Sequence, residues 1–445
     1  MHGTAAASQV ILGLSPLVVS LTVFVLTYAA IVTEKINRSI VALLGAGLMI
    51  FSGVLNQSEA VAGIDFNTIS LLTGMMVLVA ITQKSGVFQY VAIVVAKWVK
   101  AEPWGLLVML SAITAVFSAL LDNVTTVLLI VPVALLITDS LRVSAYPYLF
   151  SIIFASNIGG TSTLIGDPPN IMIGSAVGLT FSDFVVNLGP IAAIIFALTL
   201  IPLYLIWGRK MRATPEDRAQ VMAFDAKEAI TDTRLLKQSL TVIGLVIAGF
   251  VMAHHIGQEP GTIAMFGAAF LLLLRALGKD AEEQSHETHR TWGEVEWVTI
   301  FFFVGLFVVV AGVEKAGALD LLAGKLLEVT GGDFPTTTIT ILWASAIFSA
   351  VVDNIPFVAT MIPVIQKMGA VFSPEQLSTL WWSLALGACL GGNGSLVGAS
   401  ANLVVAGFAE RAGQPIRFLP FMLLAFPLML ASIAVSSVYL YLRYL

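Results

Sequence analysis

Two carboxylates stand where a chain can least easily fold around them. Asp122-Asn123-Val124-Thr125 and Asp353-Asn354-Ile355-Pro356 each interrupt a long apolar stretch. Apolar runs of about 20 residues, the length needed to cross a bilayer as helix, recur along the chain. A bare charge in that setting costs roughly 2.5–3.5 kcal/mol on insertion scales, so such residues are functional by default. Hydrophobic residues make up 58% of the 445-residue chain and charged ones only 11%, against about 25% in soluble domains. That composition excludes a soluble enzyme. The period-2 alternation of a membrane β-barrel is absent, and the expected fold class is an all-α polytopic membrane protein. Nothing in it points to nucleic acid.

Spans are expected at about 10–32, 39–55 and 66–83, with a short apolar segment at 87–100 lying flat at the interface. Residues 104–121 and 124–138 are two arms joined at Asp122-Asn123, a re-entrant helical hairpin. A helix from 146 is then broken by Gly159-Gly160-Thr161-Ser162-Thr163-Leu164-Ile165-Gly166-Asp167-Pro168-Pro169-Asn170. Backbone of this kind is tolerated at membrane depth only inside protein or against water. A span at 188–208, a polar linker at 209–237, helices at 238–253 and 260–277 and a second polar stretch at 278–294 follow. The earlier order then returns: a span at 297–311, a short segment at 316–329, arms at 336–352 and 355–370, a break at 391–400 and a last span at 419–442. The first run, at 10–32, reads as a transmembrane helix rather than a cleaved signal peptide.

The return is in register. Lys84, Gly86, Phe117-Ser118-Ala119, Asp122-Asn123 and Pro132-Val133 recur as Lys315, Gly317, Phe348-Ser349-Ala350, Asp353-Asn354 and Pro363-Val364, each 231 positions on. Gly159, Gly160, Leu164, Gly166 and Asn170 recur as Gly391, Gly392, Leu396, Gly398 and Asn402, 232 positions on. The expected organisation is N-terminal helices at 1–60, a first repeat at 61–208, linkers and connecting helices at 209–294 and a second repeat at 295–445. With residues 33–38 placed in the cytoplasm, all but four of the 22 Lys and Arg (Lys315, Lys325, Lys367 and Arg443) fall on the cytoplasmic side. That threading makes the repeats inverted and puts both termini on the non-cytoplasmic side of a bacterial inner membrane. Inverted repeats with broken helices meeting at the midplane are the architecture of secondary transporters.

The runs at 122–126, 159–170, 353–357 and 391–402 resemble those of the ArsB/NhaD branch of the ion transporter superfamily. That branch holds arsenite permeases, NhaD-type sodium/proton antiporters and the melanosomal P protein. The resemblance covers about residues 30–445 and is closest to the P-protein type. It implies a scaffold and a transport domain in each protomer, a homodimer, and a transport domain that moves. Dicarboxylate carriers related to this group carry Ser-Asn-Thr at their tips. An acid in place of that serine disfavours an anionic substrate and suits a cation, or a neutral substrate exchanged for protons.

The expected substrate or ion site is Asp122, Asn123, Thr125 and Thr126 with Asp353 and Asn354 at the tips, and Thr161, Ser162, Thr163, Asn393, Gly394 and Ser395 in the breaks. Gly159, Gly160, Gly166, Asn170, Gly391, Gly392, Gly398 and Asn402 are expected to support them by permitting close approach. The proton-coupling candidates are Asp122, Asp353 and Asp167, whose counterpart in the second repeat is Ala399. The plainer reading of each acid is a helix cap. Cys389, the lone cysteine, allows no disulfide or thiolate cluster and reads as packing; no metal site or cofactor is expected. Arg275 is expected to snorkel at a helix end. No Gly-x-x-x-x-Gly-Lys motif occurs, so any ATPase has to be a separate subunit. The reading reached is proton-coupled efflux of arsenite or antimonite as the neutral hydroxide, with small inorganic substrate, protons and membrane lipid as partners. Sodium/proton antiport stands second and a gated channel third.

Overall fold

The computed structural model describes Val10, residues 13–33 and 35–445; the start of the first expected span and Glu34 lie outside these. The chain order is α1 (Pro16–Thr33), α2 (Arg38–Phe51), α3 (Gln57–Ala62), α4 (Phe66–Gln83), α5 (Val87–Trp98), α6 (Pro103–Leu120), α7 (Asn123–Ser140), α8 (Tyr146–Thr161), α9 (Pro168–Val177), α10 (Phe181–Leu203), α11 (Pro215–Ala223), α12 (Thr233–Ile256), α13 (Pro260–Ala276), α14 (Ala281–Gly293), α15 (Trp297–Lys315), α16 (Ala318–Thr330), α17 (Phe334–Val351), α18 (Asn354–Lys367), α19 (Pro374–Gly391), α20 (Ser400–Arg411) and α21 (Phe418–Tyr444). Among the described residues, nine of these helices are long and apolar enough to cross a membrane, and no strand is present.

Helices α4 to α10 and α15 to α21 cover the two stretches expected to repeat, and the same local devices build both. Glycines with left-handed backbone, Gly86 at φ +77° and Gly317 at φ +83°, turn the chain into α5 and α16. An acid caps the first arm of each hairpin: Glu102 accepts from the Gly105 N–H, and Asp333 from the Thr336 N–H. The arms pack on the broken helices, α6 on α8 and α17 on α19. A Cβ on Gly159 would lie 2.2 Å from the Ala115 carbonyl oxygen, and one on Gly391 2.6 Å from that of Ala346. The helix pairs α1–α2 and α12–α13 are matched too. The first packs on α15, the second on α4. Gly305 meets the backbone of Ala42 there, and Gly74 that of Ala264.

Four features differ from the sequence reading. The polar stretches contain helices α11 and α14, because Thr214 and Asp280 cap their first turns. Asn56 and Glu59 form a capping box that starts the unexpected α3. Arg275 is ion-paired to Glu287 of α14, which also takes Lys279, so α14 is clasped to the end of α13 instead of leaving Arg275 to solvent. The breaks also begin later than expected. Gly159, Gly160 and Thr161 are still helical, and the irregular segment runs from Ser162 to Asp167.

Inside that segment a Cβ on Gly166 would sit 2.5 Å from the Ser118 carbonyl oxygen and 2.6 Å from that of Gly160. Backbone cannot move aside as a side-chain end can. Gly166→Ala is expected to destabilise by about 1–3 kcal/mol, read as a lower thermal midpoint in detergent. Gly47→Ala, with nothing within 4 Å of the added carbon, should leave the midpoint unchanged or raised.

Candidate functional site

A helix interrupted inside apolar surroundings exposes carbonyls that must be bonded internally. One asparagine does this in each half. Asn170 donates through Nδ2 to the carbonyls of Gly160 (3.2 Å), Thr161 (3.1 Å) and Thr163 (2.9 Å). Asn402 donates to those of Gly392 (2.7 Å) and Ser395 (2.8 Å). Hydroxyls then tie each break to its hairpin. Thr163 donates to the Ala119 carbonyl and Ser395 to that of Ala350, both at 2.6 Å. Ser118 and Ser349 repeat the device, donating at 2.6 Å to the carbonyls of Ser156 and Ala388.

These bonds sort the expected site residues. Thr161 and Ser162 donate to the carbonyls of Asn157 and Gly159. Ser395 also accepts the N–H groups of Val397 and Gly398 at 3.2 Å. The hydroxyl protons of Thr161, Ser162, Thr163 and Ser395 are therefore committed to backbone. Gly394 packs against Ala350 and Met429, where a Cβ would lie 2.6 Å from Ala350 Cβ. Gly160 faces Gly166, and Gly392 faces Gly398, at distances only glycine permits. Asn123, Thr126, Asn354 and Asn393 are buried with Asp122 and Asp167, while Asp353 is partly exposed.

The acids divide into three environments. Asp122 caps α7: its carboxylate accepts the Thr125 N–H at 2.8 Å and the Thr125 hydroxyl, so Thr125 is its cap partner. Asp353 accepts the Ile355 N–H at 3.0 Å and pairs with Arg38 at 2.8 Å. Arg38 also donates to Ser400 Oγ at 2.6 Å, Ser400 donates to Asp353 at 3.0 Å, and the guanidinium lies over the Phe302 ring. Asp167 precedes α9 but makes no side-chain cap bond; the Asn170 N–H goes to the Asp167 carbonyl oxygen at 2.9 Å. It is only 1% exposed and its side chain meets the Asn354 amide at 3.4 and 3.5 Å. Among the described residues no cation pairs with Asp122 or Asp167.

Arg38, Ser400 and Asn157 belong to this site and were missed. Arg38 was counted with a cytoplasmic loop. Asn157 was passed over inside an apolar helix, although a buried amide there was itself a signal. Cys389 also sits in the network, donating to Asn170 Oδ1 at 3.4 Å.

Comparison with known proteins fits this architecture. The family model described as CitMHS, citrate transporter, matches residues 28–387. The chain belongs to the CitMHS family. This CitMHS protein is 40% identical over 432 residues to an uncharacterized transporter of Mycobacterium tuberculosis, covering 96% of this chain and 98% of that protein. It is 39% identical to the 46 kDa membrane protein of Mycobacterium leprae, covering 96% and 99%. The human P protein is 32% identical across 93% of this chain, which spans 58% of that longer protein. The crystal structure of the Alcanivorax borkumensis YdaH transporter, described as having an unusual topology, superposes with a TM-score of 0.58 at 14% identity, covering 96% of this chain and 98% of that one. The CitMHS protein is thus a multi-pass membrane transporter of the ion transporter superfamily and not an enzyme. The P-protein resemblance is borne out.

Removing one partner of a largely buried pair strands the other charge. Arg38→Ala and Asp353→Asn should each destabilise the protein, and the double variant by less than their sum. The coupling read from thermal midpoints of the four proteins should be about 1–3 kcal/mol.

Proposed function

We propose that this transporter is a secondary carrier that exchanges a small cation for protons, with Asp167 as the coupling carboxylate. The observation that carries the reading is the buried Asp167 carboxylate, which faces the Asn354 amide and the Cys389 thiol but no cation among the described residues. A charge so placed is neutralised by a proton or by an ion. Asp122, bonded to its own helix start, is a second acid without a cation among the described residues, while Arg38 already balances Asp353. The unpaired oxygens at the first tip, Asn123 Oδ1 and Thr126 Oγ1, with the Asp122 carboxylate, are the hard donor set that a monovalent cation takes. Sodium is therefore the passenger this geometry favours. Arsenite and antimonite, first in the sequence reading, draw their affinity from thiolates, and the lone thiol of Cys389 is buried against Asn170. The family model is described as a citrate transporter, and the relatives named above as uncharacterized transporters, a membrane protein and the P protein.

The carrier acts as inverted repeats in the inner membrane, both termini on the far side, and as a homodimer whose hairpins and broken helices move together. Support for the topology comes from the distribution of Lys and Arg and from the matched contacts of the two halves; the homodimer and its moving elements rest on the family resemblance.

The test is a substrate swap in proteoliposomes holding a pH gradient and an internal pH dye. Sodium should collapse the gradient, arsenite should not, and Asp167→Asn should remove at least nine-tenths of the sodium response. A gradient collapsed by arsenite and untouched by sodium overturns the reading.

A further inference from the structure

We propose that Asn157 is a positioning residue that sets the polarity of a buried amide relay, so that Asn123 presents its oxygen, and not its nitrogen, to the ion. The proposal rests on the cation reading above and adds the residue that orients its ligand.

The relay starts at a fixed point. Both protons of the Asn402 amide are held by the carbonyls of Gly392 and Ser395, so its oxygen must face the other way. There it meets Asn157 at 3.0 Å. An amide oxygen only accepts, so Asn157 turns its Nδ2 toward Asn402, and the same nitrogen donates to Asn393 Oδ1 at 3.0 Å. Asn157 has then only its oxygen left for the first hairpin, where it accepts from Asn123 Nδ2 at 3.1 Å. Each orientation forces the next. The ends are one free acceptor, Asn123 Oδ1, and one free donor, Asn393 Nδ2, both buried and without a partner among the described residues. Unpaired polar atoms at such depth are costly unless something occupies them.

Asn157 is fully buried and joins both broken helices to the first tip. Its counterpart is Cys389, which donates to Asn170 Oδ1 and also faces Asp167. A thiol has one weak donor and cannot repeat the relay. The second tip instead turns its own amide, Asn354, toward Asp167. One tip asparagine is thus oriented by a permanent amide and the other by a titratable acid. Ion affinity follows the first and proton affinity the second.

The experiment measures sodium dependence of transport in proteoliposomes and sodium-induced thermal stabilisation of the purified protein. Asn157→Ala should raise the half-saturating sodium concentration at least tenfold in both assays, with the maximal rate within about twofold. Adding Asn123→Asp to Asn157→Ala should restore much of the affinity, because a carboxylate shows oxygen on both branches and needs no orienting. The same Asn123→Asp beside an intact Asn157 should weaken binding, since two oxygens then face each other. That reversal of sign is one a merely structural role would not produce. An unchanged half-saturation in Asn157→Ala, or no rescue, overturns the proposal while leaving sodium transport standing. Absence of any sodium response in the unaltered protein overturns the cation reading itself, and this proposal with it. If Asn157→Ala does not fold, Asn157→Ser carries the same expectation, and failure of both to fold assigns Asn157 to structure and ends the proposal.

Discussion

Backbone that leaves the helix inside a bilayer has to find its hydrogen-bond partners within the protein, and two asparagine amides meet that demand here. Asn170 and Asn402 each close a break by donating to the carbonyls that the interruption frees. With the nitrogens so used, both oxygens point to the other half of the molecule, toward Cys389 and Asn157. The bond that keeps each broken helix intact is therefore also the one that faces the two halves toward each other. The close glycine contacts and the hydroxyl ties to the hairpins depend on this arrangement, since they need the breaks held at one depth.

Around that frame the charges are uneven. Asp122 is absorbed by its own helix start, Asp353 by Arg38 and Ser400, and Asp167 by little more than an amide at 3.4 Å. Asp167 leaves its helix start without a side-chain cap, the Asn170 N–H going to its carbonyl oxygen at 2.9 Å, and its carboxylate reaches Asn354 of the other half instead. The Arg38 pair bridges α2 to the second tip, and Tyr28 of α1 adds a second bridge by donating to the Pro356 carbonyl at 2.8 Å. Movement of that tip relative to the N-terminal helices has to break both. Charge balance at Asp353 and positional hold on the hairpin are in this way one interaction.

Much of this was legible in the sequence, because hydropathy and a repeat in register are local signals. The arms, the breaks and the equivalence of Asp122 with Asp353 follow from them, as does the oddness of Asp167 against Ala399. Arg38 was not legible, since its partner lies 315 positions away and its own neighbourhood reads as a charged loop. Asn157 escaped because a repeat comparison highlights what is shared, and its counterpart is a cysteine. The hydroxyls of Thr161, Ser162, Thr163 and Ser395 also donate to carbonyls that an interrupted helix leaves to be satisfied, a demand that counting oxygens along the sequence does not reveal. Helices α11 and α14 were hidden by polarity, although Thr214 and Asp280 were readable caps.

The central claim is that one carboxylate, Asp167, holds the exchangeable proton. Its most direct measurement is proton release when sodium is added to the purified protein in weakly buffered detergent solution. The account predicts a release that saturates with sodium and is lost in Asp167→Asn. Release of undiminished size from Asp167→Asn would contradict it.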